Sequence, residues 1–299
     1  MNIIVTGASS FIGAYLCREL SRLIGTGTKI NVTGLYNNHN INFDNINLIQ
    51  IDITDFSELR KLFIRIKPDT VIHLASVTQT NTSRYENTYV HLVNHSATER
   101  IAELCSELNA KLIYTSTDLV YKEGIDIKED TSPFEPVTIY AKTKLLGEEA
   151  VKQFANEYII LRLSLVVGKT ISAYRTFFDE VYENLSSGKI YPAFTDQFRN
   201  SIFIKDVVEN IIKVSGMELP NQAVNLCGDE FLSRYEMCMM IADVFGFNKN
   251  LIQKVSCEKF KDYKMVKQIG LNNERMKLLG LSTQSFNKNL QLIFPGIHF

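Results

Sequence analysis

Tryptophan is absent, proline is scarce at 6 residues, and the 5 cysteines are scattered at positions 17, 105, 227, 238 and 257. With no CxxC pair and no clustered Cys/His spacing, neither a disulfide framework nor a structural zinc site is indicated. Reduced, mostly buried thiols are expected instead. Charge of one sign is also lacking, with 32 Lys and Arg against 33 Asp and Glu, so no net field draws nucleic acid or an anionic membrane. No apolar stretch reaches the roughly 18 residues a membrane span needs. The chain opens directly on Ile3-Ile4-Val5, without a basic, cleavable leader. These absences point to a cytoplasmic protein with no membrane or nucleic-acid partner. The 299 residues, 45% of them hydrophobic, suffice for a large core.

Strand-like and helix-like segments alternate through the first half. Apolar strands are expected at Asn2 to Thr6, Lys29 to Tyr36, Leu48 to Ile51, Thr70 to Ala75, Lys111 to Ser116 and Tyr158 to Val166. Helices are expected from Gly13 to about Ile24, Asp55 to Ile66, Asn87 to Leu108 and Thr138 to Phe154. Strands that are apolar almost throughout, each followed by a helix of ten or more residues, argue for an α/β fold. Its core is a doubly wound (Rossmann) parallel sheet covered on both faces. After Gly168 the rhythm breaks. A helix from Ser172 to Leu185 precedes an aromatic loop, and Lys205 to Val214 and Gln222 to Leu226 rejoin the sheet. Residues 1–167 with 202–227 are assigned to a nucleotide-binding domain. Residues 168–201 with 228–299, including a helix near Ser233 to Phe245, form a smaller substrate domain.

Gly7-Ala8-Ser9-Ser10-Phe11-Ile12-Gly13 lies between a strand and a helix, where a phosphate-binding turn belongs. Gly7 permits the sharp turn, Gly13 permits close helix packing, and the exposed N–H groups suit a pyrophosphate. Ser10 takes the middle position, where glycine is usual, and offers a hydroxyl to phosphate. The second strand ends Leu35-Tyr36-Asn37-Asn38-His39, with neither the acid that meets a ribose diol nor the arginine that meets a 2′-phosphate. NADP and NAD therefore both remain open, with Asn37 as a candidate ribose contact.

Tyr140 and Lys144 share a helix face four residues apart, and Thr117 follows a strand. A phenol with pKa of about 10 needs help at neutral pH, and a nearby ammonium favours its phenolate. Such a trio suits reversible proton transfer to a carbonyl oxygen. His91 and His95 have zinc-clamp spacing but no intervening glutamate or third ligand, so no metal is assigned; His73 reads as a bonded core residue. Met237, Met239 and Met240 read as core filling.

The motifs TGASSFIG, STDLVY (Ser116 to Tyr121), IYAKTK around Tyr140 and LRLSLVVG (Leu161 to Gly168) resemble the extended short-chain dehydrogenase/reductase family. Glu129 to Pro133 and Leu232-Ser233-Arg234-Tyr235-Glu236 resemble its dTDP-4-dehydrorhamnose reductase branch. The resemblance implies Thr117, Tyr140 and Lys144 as catalytic residues. It implies cofactor contacts from Gly7, Ser9, Ser10, Phe11, Ile12, Gly13, Asp52, Ile53, Leu74, Ala75 and Ser76, with Tyr140 and Lys144 also reaching the cofactor. Asn94 would support the site, Ser164 to Val167 would lie near the nicotinamide, and Thr78, Thr117, Asp118 and Arg199 would face substrate. Leu119 stands where related 4,6-dehydratases carry a catalytic glutamate. The implied activity is NAD(P)H-dependent reduction of a nucleotide-linked 4-keto-6-deoxy sugar, dTDP-4-dehydro-L-rhamnose first among them. A nucleotide-sugar epimerase, another sugar-nucleotide oxidoreductase and a non-catalytic NADP-binding regulatory subunit are the alternatives. A homodimer through the helices carrying Asn87 and Tyr140 is also implied. Lys264 to Asn273 depart from the branch, which usually carries an Arg-Pro segment there.

Overall fold

Seven parallel strands form the main sheet of the computed structural model, which describes residues 1–78, 82–259 and 265–293. They are β1 (Asn2–Thr6), β2 (Asn31–Tyr36), β3 (Ile46–Gln50), β4 (Thr70–His73), β5 (Lys111–Thr117), β6 (Tyr158–Leu163) and β7 (Gln222–Leu226), in the order β7-β6-β5-β4-β1-β2-β3. The order reverses beside β1, so the connections leaving β1 and β4 run to opposite sides at the carboxyl ends of these paired strands, where such sheets bind ligands in a crevice. The expected doubly wound parallel sheet is present.

Side-chain alternation explains how the sheet stays covered. Ile3 and Val5 of β1, Ile72, Ile113, Ile159 and Leu161 pack under α1 (Phe11–Gly25) on one face. Ile4, Val71, Leu112 and Ile160 pack on the other with Leu59, Leu62 and Phe63 of α2 (Phe56–Ile66). Every residue of β4 and β5 is buried, whereas no residue of β3 at the edge is. Cutting the fully buried Phe63 of α2 to alanine is expected to cost about 3–5 kcal/mol.

Side chains start and stop the helices locally. Ser10 caps α1, and Asp55 caps α2 by accepting from the Glu58 N–H at 3.1 Å. Lys67, left-handed at φ 49°, ends α2 ahead of Pro68. The continuous helix expected from Asn87 to Leu108 is instead α3 (Asn87–His91), a π-turn (Leu92–Ser96) and α4 (Ala97–Leu108). The expected helix from Ser172 begins later, as α6 (Phe177–Ser186), because Thr176 and Asp179 form a capping box there. The helix α5 (Ile139–Phe154) starts at Thr138, whose hydroxyl accepts from the Ala141 N–H at 3.2 Å.

Beyond the sheet's carboxyl edge, α6 and α8 (Arg234–Phe245) share a second hydrophobic cluster of Phe178, Val181, Leu185, Met237, Ile241, Phe245 and Ile252. Met237 lies fully inside it, and Met239 and Met240 pack against it. A small sheet joins Leu232–Ser233, Phe198–Arg199, Gln268–Leu271 and Gly124–Ile127. Most of the atypical segment from Lys264 to Asn273 thus belongs to this sheet and its flanks; Lys264 lies outside the described residues. Among the described residues no helix is long and apolar enough to cross a membrane, and all five cysteines are buried free thiols.

Candidate active site

At the carboxyl end of β1, Gly7 turns the chain with φ +67°, and a Cβ there would lie 2.8 Å from the backbone of Ala75. Glycine is required twice over, for its dihedral and for the close approach. Ser10 is the N-cap of α1: its Oγ accepts from the Gly13 N–H at 3.0 Å, so this hydroxyl organises the turn itself. Thr6 ties the end of β1 to the segment that follows β4. Its Oγ1 contacts His73 Nδ1 at 2.6 Å and accepts from the N–H groups of Leu74 and Ala75, both at 3.1 Å. Burial and then Lys144 push the His73 pKa down to about 3, so the ring is neutral. Thr98 donates to the Asn94 carbonyl and accepts from His73 Nε2, leaving Nδ1 to accept from Thr6. His73 is thus the bonded core residue expected. Replacing Gly7 with alanine is expected to weaken dinucleotide binding at least about tenfold, since forcing this backbone costs roughly 1–3 kcal/mol. Calorimetric titration with NADH and NADPH reads the effect, and unchanged affinity would remove the turn from the cofactor site.

Asn37 and Asp52 meet across the ends of β2 and β3, with Asn37 Nδ2 3.4 Å from Asp52 Oδ2. Asp52 is oriented by the Thr54 N–H at 2.9 Å and hydroxyl at 2.7 Å, and Ile53 is buried beneath it. Leu74, Ala75 and Ser76 continue from β4 into the crevice wall. The Ser76 hydroxyl is buried without a hydrogen-bond partner, a vacancy suited to a polar ligand atom. Thr78, exposed, ends this loop just before residues outside the described set.

Asn94 holds that loop to the catalytic helix. Buried in the π-turn, it accepts from the Val77 N–H at 2.8 Å and donates to the Val77 carbonyl at 3.0 Å and to Thr143 at 3.1 Å. Thr143 in turn donates to the Ile139 and Tyr140 carbonyls in the first turn of α5. One side chain therefore sets the distance between crevice wall and Tyr140.

Tyr140 lies beside Thr117, whereas the ammonium of Lys144 rests over the Tyr114 ring. Tyr140 is partly exposed and close enough to Thr117 for that hydroxyl to act on its pKa, while Thr117 donates to Asp118 at 3.2 Å and accepts from the Leu119 N–H at 3.3 Å. Burial, then the negative charge of Asp118, raise the Tyr140 pKa, while Thr117 opposes them. The ring is thus a neutral phenol, a proton donor. Lys144 is only 2% exposed, and its Nζ sits 4.0 Å from the centre of the Tyr114 ring. Burial lowers its pKa to about 7, and Glu148, one turn along α5, works against that loss.

Asp118, 4% exposed, is held by Ser164 at 3.3 Å and by Arg199 Nε at 3.4 Å, and burial raises its pKa despite both. Arg199 is 5% exposed and donates to the carbonyls of Phe198 at 2.6 Å, Lys267 at 3.1 Å and Val266 at 2.9 Å. It braces Asp118 and the small sheet together. Lys205 is exposed and pairs with Glu209 at 3.7 Å, a solvated surface contact. The His91 and His95 rings contact each other edge-on at 4.6 Å, and no group of metal-ligating side chains occurs among the described residues.

A family model described as "NAD dependent epimerase/dehydratase family" matches residues 3–227, three quarters of the chain. The chain belongs to this epimerase/dehydratase family. The resemblance to extended short-chain dehydrogenases is therefore upheld, and the expected cofactor, NADP or NAD, accords with a family described as NAD dependent. The glycine cradle at Gly7, the N-terminus of α1 and the unpaired Ser76 hydroxyl fit such a dinucleotide.

Among similar proteins, methionine adenosyltransferase 2 subunit beta of Xenopus tropicalis is 26% identical over 270 residues, 85% of this chain and 75% of its own length. The dTDP-4-dehydrorhamnose reductase of Bacillus anthracis, solved with NADP, superposes at TM-score 0.81 with 22% identity over 98% of both chains. A UDP-glucose 4-epimerase of Thermotoga maritima, solved with UDP-glucose, superposes at 0.83 with 20% identity over 98% of this chain and 97% of that one. At such identities the two structures speak for the shared fold alone.

Several members of the site carried no signal of their own in the sequence. Tyr114, beneath Lys144, lies in a strand that reads simply as apolar. Glu148 follows Lys144 at helical spacing, and that spacing was the available clue. Arg234, at the start of α8, was visible only as part of a capping motif.

Proposed function

We propose that this family member is an NAD(P)H-dependent reductase of a nucleotide-linked 4-keto-6-deoxy sugar, with dTDP-4-dehydro-L-rhamnose as the first substrate. The observation that carries the reading is the proximity of Thr117 and Tyr140, close enough for the threonine hydroxyl to lower the phenol's pKa, with Lys144 buried one turn further along α5. The nicotinamide, when bound, supplies the hydride for the sugar C4 carbon. Tyr140 donates its proton to the C4 oxygen, so the ketone becomes an alcohol and the phenolate left behind regains a proton from water. Thr117 orients that oxygen when its single O–H turns from Asp118 to the substrate, and Ser164 holds Asp118 in place. Lys144 in its charged form favours the phenolate across the shared face of α5. Thr78, Asp118 and Arg199 belong to the substrate side of the proposed site, with residues 168–201 and 228–299 as the lobe that closes over it.

Leu119 favours reduction over dehydration. It is an aliphatic side chain packed beside Val120 and Tyr121, at the position where elimination would need a carboxyl group. An epimerase built on the same groups would recycle its cofactor within each turnover. The likeness to a subunit named as part of methionine adenosyltransferase supports a second reading, in which the dinucleotide site serves regulation without turnover.

A panel of dTDP-, CDP-, GDP- and UDP-linked 4-keto sugars incubated with NADH and NADPH separates these readings. Stoichiometric cofactor oxidation with a reduced C4 in the product, seen by NMR, is the expected result. Interconverted sugars without net oxidation would establish the epimerase, and cofactor binding with no reaction across the panel would sink both enzymatic readings.

A further inference from the structure

Two guanidinium groups lie near Asp118, and they are used differently. Arg199 is engaged by Asp118 and by three main-chain carbonyls. Arg234 donates from Nε to Gln197 Oε1 at 3.0 Å, and its Cζ stands 4.6 Å from the centre of the Phe177 ring. Its Nη1 is buried and has no hydrogen-bond partner. Among the described residues no carboxylate lies within ion-pair distance of Arg234, and burial followed by the like charge of Arg199 lowers its pKa to about 10. It still carries its charge at neutral pH.

A partly exposed arginine in this setting is a prepared anion receptor. The Phe177 ring and Gln197 fix the plane of the guanidinium, so its free N–H groups point in set directions. Arg199 feels the carboxylates of both Asp118 and Glu123, whereas Arg234 has only a share of Asp118, so positive charge on Arg234 is left without a counter-ion of its own in this region. This region adjoins Thr117 through Asp118 and is built on α8 and the small sheet, whereas the cofactor phosphates belong to the turn at α1. The anion it receives therefore travels with the substrate.

We propose that Arg234 receives the diphosphate of the nucleotide-linked substrate, a subsite that reads the phosphates without regard to the base. The assignment rests on the nucleotide-sugar reading above and names the residue that anchors the non-reacting end. Anchoring there leaves the sugar to extend past Asp118 toward Thr117 and Tyr140, so that binding energy distant from C4 holds C4 in register.

The test compares dTDP with thymidine by calorimetric titration on the full chain, in the wild type, Arg234→Gln and Arg234→Lys. The wild type is expected to prefer dTDP. Arg234→Gln should reduce that preference roughly tenfold to a hundredfold, with thymidine and NADPH affinities within about twofold of wild type. Arg234→Lys, which keeps the charge and loses the fork, should fall between. UDP and GDP should lose the same factor. An unchanged dTDP preference in a normally folded Arg234→Gln would overturn the subsite, as would equal losses for dTDP and thymidine, the mark of a packing role. Sugar turnover in the panel would then still stand. If the wild type binds NADPH but neither dTDP nor UDP, the subsite and the reductase reading fall together.

Discussion

Tyr140→Phe is expected to lower kcat/KM by about 10²- to 10⁴-fold, the range that a positioned acid contributes, while NADPH affinity stays within about twofold. The ring and its packing survive the change; only the oxygen next to Thr117 is lost. Because burial and Asp118 hold the phenol protonated, it donates without first having to gain a proton. The loss should therefore fall on the chemical step. Stopped-flow measurement of a single turnover reads that step directly, and a mutant with wild-type rate would transfer the proton-donor role to another group or to water.

The largest effect on stability is expected at Glu148. This carboxylate is fully buried and takes both arms of Arg162, at 2.9 Å from Nε and 2.6 Å from Nη2. Arg162, itself 1% exposed, also donates to Tyr121 at 2.5 Å and to the Glu129 carbonyl at 3.0 Å. Glu148→Gln leaves a buried guanidinium without its counter-charge, a change that costs about 3–5 kcal/mol. At roughly 2–4 °C per kcal/mol for a chain somewhat smaller than this one, the melting temperature should fall on the order of 10 °C. Calorimetry measures it, and the double change Glu148→Leu with Arg162→Met should recover much of the loss. A melting point within a degree of wild type in the single variant would show that the pair contributes little.

The same substitution carries a pH signature. Glu148 opposes the desolvation that lowers Lys144 to about 7, so its removal should lower Lys144 further. If charged Lys144 supports proton donation, the alkaline limb of kcat/KM lies near pH 7 and moves to lower pH in Glu148→Gln. Stability follows by linkage. The unfolded lysine titrates near 10.4, so between about pH 7 and 10 the unfolded chain binds the extra proton. The penalty for Lys144 is complete below about pH 7 and is relieved as pH rises through that window. In the variant the lower edge of the window moves down.

Much of the local structure was legible in the amino-acid sequence, though the capping box that starts α6 at Phe177 was not. Gly7, Ser10 and Gly13 announced a turn because their roles concern a dihedral, a cap and a close contact within seven residues. The strands of the parallel sheet were legible because burial on both faces leaves a continuous apolar run. Tyr140 and Lys144 could be placed on one helix from their spacing, and α5 (Ile139–Phe154) carries both. Tertiary structure decided what depends on groups distant in sequence. The π-turn at Leu92–Ser96 interrupts a pattern that reads as one helix, and there Asn94 bonds Val77 and Thr143, residues from two other elements. The Glu148–Arg162 pair needed α5 laid against β6, and the lowered pKa of Lys144 needed the burial that packs it over the Tyr114 ring. Arg199 and Arg234 are two arginines of equal standing in the sequence. One spends its N–H groups on main-chain carbonyls and the other keeps an unpaired one, a difference set by desolvation and by which acceptors the folded chain brings within reach.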